Sequence, residues 1–107
     1  MRKPRHWYCE VYKQNFYYCL GWSATSVSAY LLKYFKYEWK DEHRLGSCIH
    51  NADITVLWTY KRNDAAALAH EAVHAANFTL GQAGLIPSYE NDEAQAYLVE
   101  AIVRNAR

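Results

Sequence analysis

Glycine and proline are scarce, at four and two residues in 107. The chain has no Pro/Gly-rich linker, no internal repeat and no low-complexity tract, so residues 1–107 read as one domain. Long apolar runs are also missing. None approaches the roughly 18 residues of a membrane-crossing helix, which excludes a membrane-spanning helix. The opening Met1-Arg2-Lys3-Pro4-Arg5-His6 is basic, but no apolar stretch follows it. No signal peptide is read there, and a cytoplasmic location is expected. Cysteine is sparse and odd in number: Cys9, Cys19 and Cys48, with no C-x-x-C pair. That excludes a disulfide framework and fits reduced thiols. If the first two strands turn at Lys13-Gln14-Asn15, Cys9 and Cys19 fall opposite each other.

Aromatic residues, by contrast, make up 16% of the chain, and ten of them are Tyr. Hydrophobic residues reach 51% and charged ones 21%, an ordinary globular balance. The net charge of +1 hides an asymmetry. Residues 1–62 carry ten Lys/Arg against five Asp/Glu, and residues 63–107 carry two against six. A basic, aromatic half suits either a solvated sheet or a nucleic-acid surface, where cations meet phosphates and rings stack on bases.

Residues 7–12 and 16–22 are rich in aromatic and β-branched types and predict a hairpin. From Ser23 to about Tyr37 the apolar positions Val27, Tyr30, Leu31, Tyr34 and Phe35 share one helical face, with hydroxyls at 23–26 to cap it. A charged connection follows at 38–44. Residues 54–60 form a strong β run, preceded by a bend or bulge at 50–53. Asn63 or Asp64 caps a helix to about Leu80, with Gly81 as its stop and Ala69, Ala72, Val73, Ala76 and Leu80 as its apolar stripe. After a loop over 81–90, Asn91 caps a last helix to about Asn105, with Leu98, Ile102 and Val99 inward. The order β-β-α-β-(β)-α-α predicts an α+β fold.

The segment that carries chemistry is His70-Glu71-Ala72-Val73-His74. H-E-x-x-H on a helix projects both imidazoles from one face, because four residues make little more than one turn. Two such nitrogens chelate Zn²⁺, and Glu71 lies beside the metal as general base for a metal-activated water. The histidines lie off the expected stripe, so the helix packs by one side and offers the other. A tetrahedral catalytic site needs a third protein ligand. Glu90, Asp92, Glu93 and Glu100 are the acidic candidates, and His43 and His50 the upstream ones. Glu93 is preferred because it sits in the first turn of the last helix, after a loop that can fold that helix back. A first-turn carboxylate also favours the helix dipole without any metal.

His70-Glu71-Ala72-Val73-His74 followed by Asn91-Asp92-Glu93-Ala94-Gln95-Ala96-Tyr97 resembles the gluzincin clan of zinc metallopeptidases. In thermolysin-like members a Glu about twenty residues past the second His is the third ligand, and here His74 to Glu93 is nineteen. The segment from Ala67 to Ile102 is also similar to small metallopeptidase-like proteins of bacteriophages and prophages, which would place the chain in a host cytoplasm. The resemblance implies a minimal zincin-like domain: a small twisted sheet, an H-E-x-x-H helix behind it and a C-terminal ligand helix. It covers about a third of the chain and nothing in residues 1–44. It departs where thermolysin-like enzymes place a supporting Asp four residues after the Glu ligand, since Tyr97 stands there.

Two functions follow as expectations. The first is a zinc metallopeptidase with one Zn²⁺ per chain on His70, His74 and Glu93. Glu71 is its base, residues 54–59 are the edge strand that holds an extended peptide or protein substrate, and Tyr89, His50 or Tyr60 is a transition-state donor. The second is a non-catalytic, zinc-stabilised protein that binds a host protein or nucleic acid. Such a site would not need Glu71.

Overall fold

A computed structural model describes residues 2–39, 45–90 and 92–107. Strands β1 (Arg5–Cys9) and β2 (Gln14–Leu20) form the predicted hairpin. Helix α1 (Ala24–Phe35) follows, then β3 (Gly46–Asn51), β4 (Ile54–Thr59), α2 (Ala65–Gln82) and α3 (Asp92–Arg104). This is an α+β fold with one mixed four-stranded sheet in the order β1-β2-β4-β3. The two hairpins are antiparallel inside, and they join through a parallel β2–β4 pair.

Period-two alternation gives each strand two apolar faces. Phe16, Tyr18 and Leu57 point to one side, where they meet Leu68, Ala72, Ala75 and Ala76 of α2 and Leu98 and Ile102 of α3. Cys19, Val56 and Trp58 point to the other and meet Val27, Tyr30 and Leu31 of α1. The result is three layers, with α1 on one face and α2 and α3 on the other. Two buried hydrogen bonds tie the layers. The Tyr18 hydroxyl donates to the Ile102 carbonyl at 2.7 Å, and the Trp58 indole donates to the Trp22 carbonyl at 2.8 Å.

Helix α1 begins as expected, with the Ser23 hydroxyl accepting from the Ser26 amide. It ends at Lys36, whose left-handed φ of 57° lets the Tyr37 amide reach back to the Leu31 carbonyl. Of its expected stripe, Tyr34 is exposed. Asp64 is the cap of α2, accepting from the Ala67 amide.

Several expectations change. The first hairpin turns over Glu10–Lys13 instead of 13–15, so Cys9 pairs with Gln14. Cys9 and Cys19 then lie on opposite faces of the sheet, in different cores. Gly81 does not stop α2, which runs one residue further. The stop is Gly84, at φ 80°, where the Leu85 amide closes on the Leu80 carbonyl. On α2 the packed face is Leu68, Glu71, Ala72, Ala75, Ala76, Thr79 and Leu80, while Ala69 and Val73 are exposed. Alanine is too weakly apolar to fix the phase of a stripe, and the true face is rotated toward Glu71. Residues 54–59 are not an edge strand: β4 lies between β2 and β3, and the strands at the two edges are β1 and β3. Trp39, read as part of a charged connection, is buried against Trp58 at 5.0 Å between ring centroids. His43 and the cap assigned to Asn91 lie outside the described residues. Among the described residues no helix is long and apolar enough to cross a membrane.

Candidate metal centre

Helix α2 lies against β3 and β4, which aims the side of its second and third turns at the sheet edge. Packing by Leu68, Ala72, Ala75 and Ala76 leaves His70 and His74 exposed on the flank, one turn apart. Their Nε2 atoms stand 3.3 Å apart. Two nitrogens each about 2.0–2.1 Å from one tetrahedral zinc are separated by roughly 3.3–3.4 Å, so the pair is spaced for that ion. Without an ion the same distance suits an imidazole–imidazole hydrogen bond, one ring donating. Glu71 completes the group: one ligand atom from each of His70, Glu71 and His74 lies within 4.8 Å of the others.

Glu71 is 8% exposed, an unusual state for a carboxylate, and the packing on β3 shows how it is housed. Gly46 faces it. A Cβ on Gly46 would lie 3.3 Å from Glu71 Oε2 and 2.9 Å from the Trp58 carbonyl oxygen, so the absence of a side chain there makes room for the carboxylate. Cys48, two residues on and on the same face, has its thiol pushed up to about 12 by burial and secondarily by the charge of Glu71. His50 follows, its ring stacked on Phe78 at 3.6 Å. Desolvation there lowers its pKa, and nearby His74 adds to the effect.

Two open hollows flank the group and share Glu71. One, of about 580 Å³, runs past Leu45, Gly46, Ala67 and His70. The other, of about 460 Å³, runs past Cys48, His50, His74 and Asn77. Together they form a groove between α2 and the edge strand β3.

The other expected residues are placed differently. Glu93 is exposed in the first turn of α3 and stands outside the His70–Glu71–His74 group. The start of α3 does return beside α2, as expected, but the residue it presents there is Gln95, whose amide bonds Asn77 Oδ1 at 2.5 Å. Glu93 precedes buried Leu98 by five residues, which puts it roughly 140° around the helix from that face. Glu100 pairs with Arg104 on the surface. Glu90 and Asp92 are exposed, and Tyr60, Tyr89 and Tyr97 are exposed as well. His50, weighed as an upstream candidate, lines the same hollow as His74. Gly46 went unnoticed in the sequence, since a glycine at the start of a strand carries no signal of what it must accommodate.

No family model, no curated protein and no solved structure matches the chain. The likeness to gluzincins therefore rests on the motif residues themselves.

Proposed function

We propose that the chain is a zinc-dependent metallopeptidase whose centre is His70, Glu71 and His74. The observation that carries this reading is the 3.3 Å convergence of two helical imidazoles with a buried carboxylate beside them. A zinc ion held there would polarise a peptide carbonyl and acidify water. Glu71 takes the proton of the attacking water and returns it to the leaving amine. Its seat against Gly46 restricts the carboxylate to a small range of positions, which suits a base that must meet one proton repeatedly. The substrate lies extended along the outer edge of β3, which has no neighbouring strand on that side among the described residues, and so runs through the groove over Glu71. Glu93 as third protein ligand is a separate proposal with its own test.

A non-catalytic zinc protein would use the two histidines but has no need of a buried carboxylate at the second position of the motif. Glu71→Gln distinguishes the two. The variant keeps its zinc and its fold, and peptide-library cleavage falls by about 10²–10⁴-fold, the span of general-base catalysis. Equal cleavage by the variant removes Glu71 from the mechanism. A wild-type protein that binds zinc and cleaves no peptide favours the non-catalytic reading.

A further inference from the structure

At the opposite end of the sheet from the β1–β2 turn lies a cavity of about 580 Å³ that none of the metal-site residues lines. The start of β1, the end of β2, the segment after β4 and the end of α3 meet there. They bring together Arg2, Lys3, Arg5, Arg62 and Arg107. Among the described residues no acidic side chain lines the cavity, and none of these five is ion-paired. Like charges crowded this way repel one another and oppose folding, so their convergence needs a compensating anion.

Two of the cations, Arg5 and Arg2, are held in place by their own contacts. Arg5 Nε donates to the Asn105 carbonyl at 2.8 Å, which leaves its terminal nitrogens for a ligand. Arg2 lies over the Trp22 ring at 5.1 Å and reaches the Gly21 carbonyl at 3.4 Å. Gly21 has a φ of 76°, and a Cβ there would strike Arg62 Cβ at 2.9 Å, so the glycine lets Arg62 approach the end of β2.

We infer that this cavity binds several phosphate groups in series, either a free polyphosphate or the phosphodiester backbone of a nucleic acid. A lone carboxylate is matched by one guanidinium, whereas several phosphates in series spread charge over the whole lining, and guanidinium forks fit phosphate oxygens in pairs. The volume falls within the usual range of small-ligand sites, about 300–1,000 Å³. Trp22 is 3% exposed beneath Arg2, so no ring is free to stack on a base, and recognition is through phosphate.

The test is calorimetric titration of the whole protein, without added metal, with inorganic tripolyphosphate at about 50 mM salt. The expected Kd is about 10⁻⁴–10⁻⁶ M, weakening at least tenfold by about 200 mM salt. Arg2→Gln/Arg62→Gln weakens binding tenfold or more, and Arg104→Gln, outside the cavity, does not. Circular dichroism checks that each variant folds, and Lys3→Gln/Arg107→Gln replaces the first pair if that pair does not. Competition with a twelve-residue oligothymidylate separates the sources: displacement assigns the cavity to nucleic-acid backbone, and no displacement to free polyphosphate. Absence of tripolyphosphate binding at low salt, or unchanged affinity in a folded double variant, overturns the inference. No zinc or peptide enters the assay, so either result leaves the metal-site reading as it was.

Discussion

Replacing Gly46 by Ala tests how Glu71 is housed. The added Cβ would sit 2.9 Å from the Trp58 carbonyl oxygen, 3.3 Å from Glu71 Oε2 and 3.4 Å from Glu71 Cγ. The first neighbour is backbone of β4, in the ladder beside the Ser47–Trp58 pair, and cannot move alone. Either β3 shifts outward by a few tenths of an ångström or the carboxylate leaves its seat. Overpacking of this kind costs about 1–3 kcal/mol. Alanine's smaller unfolded-state entropy offsets about 0.4–1 kcal/mol of that. The net expectation is about 0–2.6 kcal/mol of destabilisation, read from urea unfolding as a lower midpoint with an unchanged slope. Zinc affinity should change little, because the three atoms nearest the added Cβ belong to Trp58 and Glu71 and not to either imidazole, while cleavage falls. A variant as stable as the wild type, with full activity, would refute the claim that the missing side chain makes the site for Glu71.

Tyr18→Phe leaves the buried Ile102 carbonyl without its 2.7 Å donor and should cost about 1–3 kcal/mol in urea unfolding. Burial pushes the Cys19 thiol up to about 12, so at pH 8–9 the native protein should resist iodoacetamide at that residue and react only after unfolding. The sign for stability follows. The folded state holds the Cys19 proton more tightly than the unfolded state, so this contribution is complete below the ordinary thiol pKa and is lost as pH rises toward 12. Zinc affinities of Glu93→Ala and Glu100→Ala test the third ligand: the proposal expects loss in the first alone, and an unchanged Glu93→Ala removes Glu93 from the metal set.

Much of this fold is legible where one residue type decides the local geometry. Ser23 and Asp64 cap because a short oxygen-bearing side chain meets a free amide, and α1 shows its face because Val27, Tyr30 and Leu31 are unmistakably apolar. The H-E-x-x-H spacing likewise brings His70 and His74 together through helix geometry alone. What depends on distant partners was harder to read. The parallel β2–β4 pair joins residues about forty apart and makes β3 an edge, and no local pattern announces it. The phase of α2 is not legible in the sequence, because its face is built from alanines and from a buried glutamate that composition counts as polar. The start of α3 shows the same limit: the loop length anticipates that α3 returns to α2, but which side of α3 faces α2 is set by the packing of Leu98 and Ile102, and it is Gln95 that bonds Asn77 there.

The central claim is that His70 and His74 hold a metal ion, and elemental analysis tests it most directly. Protein purified without chelator should contain one zinc per chain, and His74→Ala, folded by circular dichroism, should contain almost none. Equal zinc in the two proteins, or none in the wild type after dialysis against zinc, would contradict the account.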